Sequence, residues 1–127
     1  MFSRREIMGA AAATLALQGC GKHMEELEPG AEPFGMIGQI RAVPGKREEL
    51  LRYLTEGSTA MPGNLAYMLN TDRADPDAVW VVEIWQDEAS HKASLALPQV
   101  RAAITKARPI IAGFGTSAQI TPVAGTH

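Results

Sequence analysis

Apolar and polar positions alternate, then recur in threes and fours, then alternate again along the chain from residue 34 onward. Phe34–Val43 (FGMIGQIRAV) alternates loosely and predicts a strand. Pro44-Gly45 breaks it and opens a helix from Lys46 to about Glu56, with Leu50, Leu51 and Leu54 on one stripe and Glu48 four residues before Arg52 on the solvent side. Met61-Pro62-Gly63 is a turn, Asn64–Thr71 a second strand, and Asp72–Asp77 (DRADPD) a polar hairpin turn. Ala78–Gln86 (AVWVVEIWQ) is the strongest strand signal in the chain. Glu88–Leu97 and Pro98–Ile110 predict two helical pieces, with Pro98 suited to a first helical position. The last strand lies within Gly113–Val123 and ends before Pro122. Strand, helix, strand, strand, helix in two parts, strand is the ferredoxin-like order, an α+β antiparallel four-stranded sheet with helices on one face.

Ala78–Gln86 changes that picture, because it is apolar on both faces: Trp80, Val82 and Ile84 point one way, Val79, Val81, Glu83 and Trp85 the other. A sheet with one wet face alternates apolar with polar. Something must therefore cover the second face. The expectation is a homodimer that buries the Val79–Val81–Trp85 row, two sheets closing into a barrel-like core.

The N-terminal pattern is different. Met1–Arg5 is basic through Arg4 and Arg5, Ile7–Leu17 is uncharged, and Leu17-Gln18-Gly19-Cys20 closes the segment. That is the order of a secretory signal, residues 1–19. Its apolar run is too short to cross a bilayer, which takes about 20 residues as a helix. Leu17-Gln18-Gly19-Cys20 resembles the lipobox of bacterial lipoproteins, and Ser3-Arg4-Arg5 is similar to a twin-arginine export signal. Cys20 would then be the first mature residue and carry lipid, and several acyl chains would anchor it firmly. The expected location is the bacterial cell envelope, on a membrane anchor facing the periplasm or the cell exterior. Residues 20–32, with Glu25, Glu26, Glu28 and Glu32, read as a flexible polar tether, and residues 33–127 as the domain.

Cys20 is the chain's one cysteine, so the domain offers no thiol for disulfides, thiolate catalysis or Cys-based metal sites. Lys and Arg balance Asp and Glu from Pro33 onward, nine of each. Such a domain lacks the basic surface of a nucleic-acid binder. No HxxxE, HxH or paired-carboxylate spacing marks a metal site. Gly113-Phe114-Gly115 lacks the spacing of a nucleotide fingerprint, and no serine has the histidine–acid context of a nucleophile.

Candidate chemistry concentrates near the third strand. Glu83 sits in an apolar row beside Trp85, where a carboxylate must be paired or hydrogen-bonded. It is either a general base or a structural anchor bonded to Arg41 or Tyr67. His91 follows six residues after Trp85 and is a candidate to take or give a proton near neutral pH, or a helix-surface histidine. Asn64 and Tyr67 from the second strand, with Phe34 and Phe114, are candidate substrate-binding residues. Such a lining suits a flat aromatic or quinone-like molecule and is equally compatible with ordinary core.

Several segments carry a family resemblance: Pro44-Gly45-Lys46, Met61-Pro62-Gly63-Asn64, Glu83-Ile84-Trp85 followed by Glu88-Ala89-Ser90-His91, Leu97-Pro98, and Arg108-Pro109-Ile110-Ile111-Ala112-Gly113-Phe114. Across residues 35–115 the chain resembles the antibiotic biosynthesis monooxygenase domain family, in particular its small quinol monooxygenase-like members. The resemblance implies a dimeric α+β barrel and oxidation of a quinol or related phenol by dioxygen, with no cofactor or metal. Glu83 and Trp85 fall on the family's E-x-W motif and His91 on the first histidine of its helix pattern; Ser94 stands where many relatives have a second histidine. The same family contains haem-degrading enzymes, so the resemblance also allows a haem-binding enzyme. A reading from another class is a non-catalytic envelope module that binds a hydrophobic small molecule.

Overall fold

The structure, a computed structural model, describes residues 32–125. The segments expected to be an export signal and a tether, up to residue 31 and including Cys20, lie outside the described residues, as does His127. The elements are β1 (Phe34–Ala42), α1 (Arg47–Gly57), β2 (Asn64–Thr71), β3 (Ala78–Trp85), α2 (Glu88–Ser94), α3 (Pro98–Ala107) and β4 (Ile111–Ile120), with a 3-10 turn at Arg108–Ile110. Among the described residues no helix is long and apolar enough to cross a membrane.

Each boundary has a local cause. Gly45 takes a positive φ of 83° at the turn after β1, a conformation that favours glycine. Asp87 caps α2 by accepting a hydrogen bond from the Ser90 backbone N–H at 2.8 Å. The helix stops at Ser94, short of the expected Leu97, because Pro98 drives the residue before it out of the helical region: Leu97 has φ −68° and ψ 137°. Pro98 then starts α3 at a position whose N–H would have no helical partner. β4 begins at Ile111, two residues earlier than its glycines suggested.

The strands run antiparallel in the order β2-β3-β1-β4. Helices cover one face. Leu50 from α1 and Ala107 from α3 pack with Ala42, Val79 and Val81 of the sheet in one buried cluster. Val79, Val81 and Trp85 are 0%, 7% and 1% exposed within the single chain. The expectation that a partner covers this row is therefore corrected: the helices bury it. Trp80, Val82 and Ile84 lie on the opposite, open face, half-buried, near Met68 at 54% exposure.

The barrel expectation is corrected as well. The sheet is open, with β2 and β4 as its two edges. Among the described residues the sheet has four strands and does not close on itself. Three irregularities bend the open sheet. β4 carries an extra residue opposite Gln39, between the Gly38–Ser117 and Ile40–Phe114 pairs, and another between the Arg41–Gly113 and Ala42–Ile111 pairs. The third is at the start of β2, where the register shifts between Asn64 and Ala66.

Candidate functional site

A cavity of about 170 Å³ lies between the helix-covered sheet face and the helices. Tyr67, Glu83 and Trp85 rise into it from the strands, and Leu54, Met61, Val100 and Ile104 come from the α1 and α3 side. His91 and Ser94 reach it from α2. The lining is mainly apolar, with a few polar atoms converging on one wall.

That wall is built on strand periodicity. Glu83 and Trp85 are two residues apart, hence on the same face. Trp85 is buried and donates its Nε1–H to Glu83 Oε1 at 3.0 Å. The anchor of Glu83 is thus neither Arg41 nor Tyr67. Arg41 pairs instead with Asp75 at 2.8 Å in the β2–β3 turn. Tyr67 stands opposite Glu83 in the β2–β3 register. Burial, with the Glu83 carboxylate nearby adding to it, pushes the Tyr67 phenol well above its ordinary range. Its hydroxyl has no hydrogen-bond partner among the described residues. Tyr67 is therefore a neutral O–H donor facing a carboxylate and a cavity.

His91 completes the wall. Its ring is held between Phe34, with centroids 5.4 Å apart, and the edge of Trp85, 5.6 Å apart. Its Nε2 lies 4.0 Å from Glu83 Oε1, too long for a hydrogen bond. Ser94 is buried and donates its Oγ–H to the His91 backbone carbonyl at 2.6 Å. Ser94 is thus part of the chamber.

The four residues Tyr67, Glu83, Trp85 and His91 come together. The other three candidates are placed differently. Asn64 donates through its side-chain amide to the carbonyls of Ala66 and Ile84, at 3.1 and 3.2 Å, where it satisfies the backbone at the start of β2. Phe34 touches His91 and also lines a separate, polar-rimmed cavity with Glu32, Glu88 and Gln119. Phe114 is 74% exposed and lies away from the chamber. Met61, Leu54 and Val100 were not legible as lining. The helical stripes of Leu54 and Val100 signal a buried face, Met61 lies in the turn before β2, and only the crossing of α1 with α3 decides which part of that face borders empty space.

Among the described residues, no three His, Cys, Asp or Glu side chains form a group that could hold a metal ion. A carboxylate, an imidazole and an un-ionised phenol on one wall of an apolar chamber can accept a proton from an acidic hydroxyl and hydrogen-bond the anion left behind.

A family model described as antibiotic biosynthesis monooxygenase matches residues 33–106. A protein of Chloroflexus aurantiacus J-10-fl, described as a candidate antibiotic biosynthesis monooxygenase, is 45% identical over 75% of this chain and 97% of that one, with a TM-score of 0.74. A Bacteroides thetaiotaomicron protein with the same description is 23% identical over 76% of this chain and 95% of that one, TM-score 0.67, and shares the fold. A Pseudomonas aeruginosa protein is 25% identical over 74% and 97%, TM-score 0.65. The chain matches no curated protein.

Proposed function

The chain belongs to the antibiotic biosynthesis monooxygenase family, and from that premise we propose that it oxidises a quinol or related phenol with dioxygen, using no cofactor. The observation that carries the reading is the wall of Tyr67, Glu83 and His91 on an apolar chamber of about 170 Å³.

The reaction balances without an external reductant. A quinol and dioxygen give a hydroxyquinone and water: one oxygen atom enters a ring C–H, the other leaves as water, and all four electrons come from the ring. The slow step is electron transfer to oxygen, which an ionised quinol performs far more readily than a neutral one. The residues act on that ionisation. His91 takes the phenolic proton. Glu83, held by the Trp85 indole, stabilises the imidazolium that results. Tyr67 keeps its own proton and donates to the quinolate oxygen. The apolar remainder of the chamber keeps bulk water from the radical pair.

Oxygen uptake by the purified, metal-free protein with a panel of reduced single-ring quinones tests this. Uptake above autoxidation that falls by about 10²–10⁴-fold in His91→Ala supports the reaction and the base. Uptake equal to buffer across the panel, with binding of the same quinones retained, would leave a binding module in place of an oxygenase.

A further inference from the structure

A second cavity shares two walls with the chamber. It measures about 310 Å³ and opens beside β4, bordered by Met36, Ile40, Val81, Phe114 and Ser117. Tyr67 and Glu83 border both spaces. Register explains the position: Met36 is opposite Glu83, and Ile40 is opposite both Val79 and Phe114, so the space lies on the helix-side face of the sheet. Its outer flank is Phe114, a large apolar side chain that stays 74% exposed.

Size separates what each space can hold. An apolar cavity of about 150 Å³ admits one benzene molecule, whereas drug-sized ligands occupy about 300 Å³ or more. The inner chamber, at about 170 Å³, therefore has room for one six-membered ring and little else. A substituent of more than a carbon or two must leave it. To stay against protein it would have to pass Tyr67 and Glu83, which border both spaces, and lie in the outer one, whose walls are mainly apolar. A chain lying there also covers Phe114.

We propose that the substrate is a single-ring quinol or phenol carrying an apolar side chain, with the ring in the inner chamber and the chain in the outer groove. This rests on the functional reading above and narrows it. The inner chamber fits a single ring better than a fused system, and selectivity for the chain belongs to the groove, away from His91.

Binding rather than turnover tests it, so the groove and the reaction are judged separately. Titration calorimetry of the purified protein under argon, with 4-alkylphenols from methyl to hexyl, should show affinity rising about fourfold for each buried methylene. Ser117 lies on the edge strand β4 and is exposed, so Ser117→Phe adds a ring at the groove without disturbing the core. That variant should flatten the series. Phe114→Ala, which removes a wall, should reduce the slope and serves if the first variant folds poorly. Equal affinity across the series, or a slope that both substitutions leave intact, would overturn the groove. Failure of the methyl member to bind would remove the ring chamber itself, and the functional reading with it.

Discussion

Trp85 does two things from one position: it fills the floor of the core and spends its single N–H on Glu83. Trp85→Phe separates the two. It keeps most of the apolar volume and loses the donor, so oxygen uptake should fall more than denaturant stability does, whereas Trp85→Ala should cost about 3–5 kcal/mol of stability. Comparable losses in both measurements for Trp85→Phe would show that the indole only packs. Tyr67→Phe is the complementary change. It removes the O–H that burial keeps un-ionised and should lower kcat by about 10²-fold with little change in stability. Because that phenol is held well above its ordinary range, no activity change below pH 10 should trace to its ionisation. The E-x-W spacing made Glu83 and Trp85 neighbours on one face from the sequence. That the indole, and not Arg41, is the partner of the carboxylate was not legible, because Arg41 had a competing acid in a turn whose path the chain decides only on folding.

The helices and the hairpin are tied by small and polar contacts that a hydrophobicity pattern passes over. Gly57 ends α1 where α3 crosses it, and a Cβ added there would collide with the Ala103 Cβ. Gly57→Ala should destabilise the domain by about 1–3 kcal/mol through overpacking, read as a fall in the denaturation midpoint. Ala103→Gly in the same chain should restore part of it. No recovery would mean that the glycine acts through its backbone. The β2–β3 turn is a second such device. Asp72 accepts from the Trp80 indole at 2.7 Å, from the Ala74 and Asp75 backbone N–H groups at 2.8 and 3.0 Å, and from Gln39 at 3.2 Å. These bonds, the Trp80 one foremost, hold its carboxyl below the usual range. In Asp75 the Asp77 backbone N–H, followed by Arg41, does the same. Arg47 at the start of α1 donates to the Asp75 carbonyl at 3.0 Å, which fastens helix to hairpin. A depressed folded-state pKa means stability that is fully present above the unfolded carboxylate value near pH 4 and lost as pH falls through the lower folded value. Asp72→Asn should therefore flatten the acid limb of a stability-against-pH curve below about pH 4; an unchanged limb would assign acid unfolding to other carboxylates. The polar turn was readable as a turn from DRADPD. Its function as a clasp on α1 depends on Arg47, 25 residues before Asp72 in the chain.

At the scale of the whole molecule, the open sheet face is the unfinished surface. Ile37, Val82 and Ile84 run along it, with Met68 54% and Ile120 38% exposed at its sides. A single antiparallel sheet face exposed to water is expected to alternate to polar residues, and this one does not. A homodimer through this face is expected. Light scattering at micromolar concentration should give twice the chain mass, and Val82→Lys should reduce it to one. A monomer mass for the native protein would remove the expectation and leave the apolar face unexplained.

The order and kind of the elements followed from the sequence alone, because amphipathic period, turn residues and Pro98 act locally and no distant contact is needed to read them. The same local logic placed Glu83 and Trp85 side by side and His91 one short turn away. Three matters were decided only by tertiary structure. Which face of β3 the helices take is one: both faces are apolar, so periodicity offers no preference, and the crossing of α1 and α3 over Val79 and Val81 settles it. Closure is another, since strand order leaves β2 and β4 as open edges, and edge pairing is a property of the assembled sheet. The third is the chamber, a volume left where side chains from β2, β3, α1, α2 and α3 fail to meet. Empty space has no residue of its own, and so no pattern in the chain to announce it.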